Sequence, residues 1–122
     1  MGNQRANLGQ RGERAAARFL KKRGYRILAR NYTCPVGELD IVALQNGVLT
    51  IAEVKTLSAE AGQPEERVDH RKRRKLARVA SYLIKEKRLE HLPCQFDVLA
   101  VSCPPEGKPT IEHFPDAFQV AE

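Results

Sequence analysis

Asp40, Glu53 and Lys55 are the residues of this chain whose types and spacing could do chemistry together. They lie in GELDIVALQNGVLTIAEVK, Gly37–Lys55, where two apolar runs, Leu39–Leu44 and Val48–Val54, flank Gln45-Asn46-Gly47. Asn-Gly between β-rich runs predicts a two-residue hairpin loop, because both central residues tolerate positive φ. With Asn46-Gly47 as the loop, Gln45 opposes Val48, Leu44 opposes Leu49 and Val42 opposes Ile51. The same register sets Asp40 against Glu53 and Glu38 against Lys55. Directly opposed side chains share a face, with Cβ atoms about 4.5–5.5 Å apart, and like charges there are destabilising. A hard divalent cation, Mg²⁺ or Mn²⁺, would relieve that repulsion, since it takes oxygen ligands and keeps several waters. The same cation could polarise a phosphodiester and acidify a bound water. Lys55 would point the same way, to orient that water or to stabilise a pentacoordinate phosphate. The competing reading is a salt bridge, with Lys55 pairing Glu53 or Glu38 to hold a sheet end together. His70, His91 and His113 are scattered and do not form a zinc set.

The elements that must position these residues follow from periodicity. Met1–Ala6 reads as a flexible tail, with Asn7 as a helix cap and Gln10 as its capping-box partner. Leu8, Gly12, Ala15, Ala16, Phe19 and Leu20 then recur at helical spacing through Arg23, and Gly24 supplies a stop. Glu13 falls at the edge of that stripe, where it either reaches inward or forms a solvated flank. Tyr25–Tyr32 alternates as a strand except at Leu28, and Thr33-Cys34-Pro35 turns into the hairpin. Both hairpin faces are apolar, so the sheet is covered on both sides, and charges at its end need partners. After a polar loop, Pro64 suits a first helical turn and Glu65 and Glu66 suit its dipole. That helix should run to about Glu90, with Val68, Leu76, Val79, Ala80 and Leu83 inward. Lys72 falls among them, aimed at the sheet or snorkelling at the helix edge. Arg71, Arg74, Lys75 and Arg78 form a basic ridge beside it, which by default is a solvated face. Cys94–Ser102 reads as a buried strand, Thr110–Phe114 as a short edge strand and Pro115–Val120 as one helical turn. The order is α-β-β-β-α-β-β, an α/β domain with a mixed central sheet flanked by helices.

Composition narrows the classes. The chain has 122 residues, 42% of them hydrophobic, which suits one folded domain spanning 1–122. A net charge of +6 and a pI near 9.5 suit a polyanionic partner, although many basic surfaces serve solubility alone. Three cysteines, Cys34, Cys94 and Cys103, show no CxxC spacing and read as reduced thiols. No apolar run approaches membrane-spanning length and the N-terminus lacks a signal-type core, so the expected location is the cytoplasm. Aromatic residues are few, which argues against reading single strands by base stacking.

GELD, the hairpin and EVK after an amphipathic helix resemble the PD-(D/E)xK, restriction-endonuclease-like nucleases. More closely, the chain resembles the YraN family, also called UPF0102, of small bacterial proteins similar to archaeal Holliday-junction resolvases. Gly9, Glu13, Gly24-Tyr25, Arg30-Asn31-Tyr32, Gly37–Ala43, Glu53-Val54-Lys55, Gly62, Val68, Lys72, Ala80, Tyr82-Leu83 and Phe96-Asp97-Val98 carry the likeness. It implies a restriction-endonuclease-like core with Asp40 and Glu53 as metal ligands, Lys55 as catalytic lysine and Glu13 as accessory acid. It also implies Mg²⁺ or Mn²⁺ as cofactor, double-stranded or branched DNA as substrate, and a protein able to act as a homodimer. Arg71, Lys72, Arg74, Lys75 and Arg78 would then track the nucleic-acid backbone. The alternative is a binding module that uses the same fold without cutting. One departure stands out: Leu57 occupies the place where the family usually carries an Arg, two residues past the lysine.

Overall fold

A computed structural model describes residues 4–57 and 70–119, with side chains described from Leu8 onward. Helix α1 (Gln4–Lys22) is followed by β1 (Arg26–Cys34), β2 (Gly37–Gln45) and β3 (Val48–Leu57). Helix α2 (His70–Lys87), β4 (Cys94–Ser102) and β5 (Thr110–Phe118) complete the order α-β-β-β-α-β-β. The five strands form one sheet in the order β1-β2-β3-β4-β5. Only β3 and β4 run parallel, and α2 makes the crossover that a parallel pair requires. The sheet is therefore mixed, as the sequence predicts.

Two apolar layers sandwich the sheet. Ala16, Ala17 and Leu20 of α1 pack with Ile41, Ala43, Ala52, Leu99 and Val101 on one face. Leu76, Val79, Ala80 and Leu83 of α2 pack with Val42, Leu49 and Ile51 on the other. Both expected inward stripes are thus seated, apart from Val68, which with Pro64, Glu65 and Glu66 lies outside the described residues. The β2–β3 hairpin has the expected register, Gln45↔Val48, Leu44↔Leu49 and Val42↔Ile51. Asn46 and Gly47 both take positive φ, 52° and 76°, as such a loop demands.

Element ends differ from the sequence reading for local reasons. Helix α1 starts at Gln4 rather than after Asn7, so residues 4–6 are helix and not tail. Gln4, Arg5 and Ala6 are all good helix formers, and Asn7 falls inside the helix rather than at its start. Met1–Asn3 lie outside the described residues. At the far end Gly24 (φ 91°) stops the helix, with Tyr25 N donating to Leu20 O and Gly24 N to Lys21 O. Helix α2 ends at Lys87 and not near Glu90, because Arg88 adopts φ 56° and Leu89 N turns back to Ile84 O. Strand β1 continues through Thr33 and Cys34, so the turn into β2 falls on Pro35-Val36. Leu28, the residue that breaks the alternation, sits at a register shift between Ile27 and Ala29 and is 40% exposed.

The largest correction concerns β5, which does not end at Phe114 in a helical turn but runs on to Phe118. Between Val98↔Phe114 and Phe96↔Phe118, residues 115–117 bulge opposite Asp97 alone. Asp97 is 1% exposed, and its carboxylate fixes the bulge. Oδ1 accepts from Asp116 N and Gln95 Nε2, both at 2.9 Å, while His113 Nε2 lies 2.7 Å from Oδ2. A proline is tolerated because β5 is an edge strand with a bulge at that point. Asp97→Ala would leave these part-buried donors without their acceptor and should cost about 2–4 kcal/mol of stability in urea unfolding. A loss under about 1 kcal/mol on that measure would mean β5 is held by something else.

Candidate active site

The site arises where the sheet comes apart. Strand β2 stays paired with β1 down to Cys34↔Gly37, and β3 stays paired with β4 down to Leu57↔Ser102. Between β2 and β3, however, pairing stops at Ile41↔Ala52. Around a two-residue loop, the pairs that exchange hydrogen bonds are Gln45–Val48, Ala43–Thr50 and Ile41–Ala52, and Leu39–Val54 would be next. Instead Val54 N donates to Asp40 Oδ2 at 2.8 Å. A side chain thus takes the amide that the neighbouring strand has given up. Glu38 and Lys55, opposed in the ideal register, are not a ladder pair, because β2 has left β3 by that level.

Into this parting project the acids and lysines singled out from the sequence. Asp40 and Glu53 touch through their carboxyl groups, and Lys72 Nζ stands 3.5 Å from Glu53 Oε1. The Glu53 side chain is 14% exposed. Burial first, and then the Asp40 charge and contact, push its pKa up to about 7, against the pull of Lys72 and Lys55. Burial disfavours the Lys72 ammonium, yet its contact with Glu53 and the Asp40 charge leave its pKa raised. Glu13 reaches inward from α1: burial and Asp40 raise its pKa, and Asn31 and Arg30 oppose the rise. Its approach depends on Gly12, since a methyl group there would collide with the Thr56 side chain on β3. Gly37 plays the same part on the other face, where a Cβ would press on Val79 at 3.0 Å and Lys75 at 3.2 Å.

The arrangement brings together Glu13, Asp40, Glu53, Lys55 and Lys72. Asp40, Glu53, Lys72 and Lys75 also line a cleft of about 480 Å³ that opens beneath the Pro35-Val36 turn. Arg71, Arg74 and Arg78 are exposed on the outer side of α2, away from that cleft. Among the described residues no three His, Cys, Asp or Glu side chains form a ready metal cage. The donor set is two crowded carboxylates, Asp40 and Glu53. That chemistry fits a cation such as Mg²⁺, which takes one or two protein carboxylates and keeps its other waters. The sequence reading counts Asn31 in the family likeness but gives it no role; its amide nitrogen donates to Glu13 Oε2 and Oε1 at 3.0 and 3.3 Å in the orientation that satisfies both groups. Beyond that likeness its signal is its type, as Asn is among the few residues that accept left-handed backbone.

The raised Glu53 pKa fixes the sign of a pH effect. The folded state holds this proton more tightly than the unfolded state, whose value is near 4.5. The stabilisation from protonation is complete below about pH 4.5 and is lost as pH rises through about 7. In metal-free buffer the wild-type chain should therefore lose stability relative to Glu53→Gln across that window, by on the order of 3 kcal/mol at most. Parallel pH profiles for the two proteins in urea unfolding would contradict the crowded pair.

With this geometry in view, the relatives become informative. Residues 12–101 match the pattern of Uncharacterised protein family UPF0102. The chain is 50% identical over 98 residues to a UPF0102 protein of Moorella thermoacetica, covering 80% of this chain and 82% of that one. It is 44% identical over 118 residues to one from Syntrophotalea carbinolica, covering 96% and 95%. A third, from Pelotomaculum thermopropionicum, is 42% identical over 120 residues, covering 97% and 100%. The matched stretch includes Glu13, Asn31, the parted strands and Lys72, so the chain belongs to the UPF0102 family.

Proposed function

We propose that the protein is a divalent-metal-dependent nuclease of the restriction-endonuclease-like kind, hydrolysing phosphodiester bonds of structured or branched DNA. One observation carries this reading: β2 and β3 part at Asp40 and present two touching carboxylates beside two lysines in an open cleft. A purely structural ion pair would need one acid and one base, whereas here the Asp40 charge acts on both Glu53 and Glu13 and makes each harder to ionise. The preference for branched DNA rests on the likeness to junction resolvases.

In this mechanism Asp40 and Glu53 would hold the metal, which when bound would polarise the phosphodiester and acidify a water. Asp40 stays fixed while doing so, because one of its oxygens is anchored on the Val54 amide. Lys55 orients the attacking water. Lys72 neutralises the acids in the resting protein and meets the charge that builds on the phosphate during attack. Lys75 follows the backbone along the cleft, and Arg71, Arg74 and Arg78 add sequence-independent attraction from the outer face of α2. Lys72 and Lys75 line the cleft beside Asp40 and Glu53 and supply positive charge in a chain that carries Leu57 where the family usually has an Arg. Among the described residues no helix is long and apolar enough to cross a membrane.

The test offers labelled duplex, flap, single-stranded and four-way-junction DNA with Mg²⁺ or Mn²⁺. Cleavage should require the metal, vanish in Asp40→Asn and fall about 10²–10⁴-fold in Lys55→Ala. Cleavage that survives Asp40→Asn would remove the site from the reaction. Salt-sensitive binding to these DNAs without cleavage would make the protein a nucleic-acid-binding module.

A further inference from the structure

We propose that Asn31 is a positioning residue, held in left-handed backbone opposite Asp40 so that its amide clamps Glu13 beside the Asp40–Glu53 pair. What the clamped acid does rests on the nuclease reading above; the clamp itself does not. Asn31 has φ 52° inside strand β1, a conformation that non-glycine residues rarely adopt and that extended strands do not use. The strand is otherwise in register on both sides, Arg30↔Ile41 and Tyr32↔Leu39, and the intervening pair, Asn31 with Asp40, is unbridged. The twist at this point changes which way the chain faces. Ala29, Tyr32 and Cys34 all pack against the α2-side core, although strict alternation would send Tyr32 and Cys34 to the face opposite Ala29. On β2, Leu39 and Val42 likewise both reach that core. Both strands therefore reset their alternation at the level of Asn31 and Asp40.

The reset delivers the Asn31 amide to α1. Its nitrogen donates to both oxygens of Glu13, at 3.0 and 3.3 Å. Glu13 needs such a partner, because Asp40 and Glu38 both repel its charge while Asn31 and Arg30 attract it. Without the amide, an acid on a helix edge would turn outward to water, and the site would keep two carboxylates instead of three. A backbone irregularity of no consequence would leave the amide and the carboxylate energetically independent. That difference is measurable.

The experiment is a double-mutant cycle on the full chain, with Asn31→Gly, Glu13→Ala and the double variant unfolded by urea in EDTA. Glycine keeps the left-handed backbone at no steric cost and removes the amide with the rest of the side chain, and the cycle cancels the backbone entropy it adds to the unfolded state. The loss in the folding equilibrium caused by Asn31→Gly should be at least about fivefold larger with Glu13 present than in the Glu13→Ala background. Equal losses in the two backgrounds would overturn the clamp. If Asn31→Gly fails to fold, the exchanged pair Glu13→Gln with Asn31→Asp serves instead, since it restores the contact with donor and acceptor swapped. It should recover the stability that Asn31→Asp alone loses, and no recovery would overturn the clamp. Mn²⁺ titration then separates positioning from simple stabilisation. Asn31→Gly should weaken Mn²⁺ binding roughly tenfold, and the double variant should be no weaker than Glu13→Ala. Unchanged Mn²⁺ affinity in Asn31→Gly would overturn the positioning role. Coupling in the cycle with no Mn²⁺ binding by the wild-type chain would leave the clamp standing and remove the nuclease reading.

Discussion

The hydrogen bond from Val54 N to Asp40 Oδ2 is the constraint on which the rest of the site depends. A sheet that simply continued would have used this amide for pairing and left no opening at its centre. Once β2 and β3 separate, their backbone groups need new partners, since an unpaired buried amide costs as much as a lost hydrogen bond. Asp40 supplies one such partner from its own side chain. The carboxylate is thereby fixed at the mouth of the parting, and Glu53 follows because the hairpin register sets it alongside. Each outer strand keeps its inner neighbour through this region, so the parting is braced on both sides.

The same constraint creates electrostatic strain that the fold offsets without removing it. Glu13 and Glu53 both approach Asp40, and burial and the Asp40 charge raise the pKa of each. Lys72 from α2, Lys55 from β3 and the Asn31 amide from β1 work against that rise. Stability alone would favour apolar residues at such a point, as replacing buried charges by well-packed hydrophobics is often neutral or stabilising. The contrast with Asp97 is instructive. That carboxylate is buried in the same sheet, more deeply than Glu53, yet it is satisfied by an amide, a side-chain amide and His113, and it fixes an edge strand. One acid completes a fold; Glu53 instead meets a second carboxylate and a lysine.

What the sequence made legible was governed by short-range rules. Asn46-Gly47 announced the loop and hence the register, Gly24 announced the end of α1, and helical spacing aimed Lys72 at the sheet. What stayed hidden depended on contacts distant in sequence or on a single torsion. The extension of β5 past Pro115 needs Asp97, nineteen residues before Asp116, to stabilise a bulge that local propensity would not choose. The end of α2 depends on Arg88 taking a conformation usually left to glycine. Asn31 sits in a run that reads as plain strand, and nothing in the alternation of YRILARNY marks a reset. The ladder's end at Ile41↔Ala52 was invisible for a related reason: a register rule says which residues would meet, not where the strands stop meeting.

The central claim is that the parted strands hold a divalent cation between Asp40 and Glu53. Paramagnetic broadening by substoichiometric Mn²⁺ in the amide NMR spectrum tests it most directly. Broadening should be strongest at Val54 and at the neighbouring amides of residues 40 and 53, and it should disappear in Asp40→Asn. Broadening centred elsewhere, or persisting unchanged in Asp40→Asn, would contradict the account.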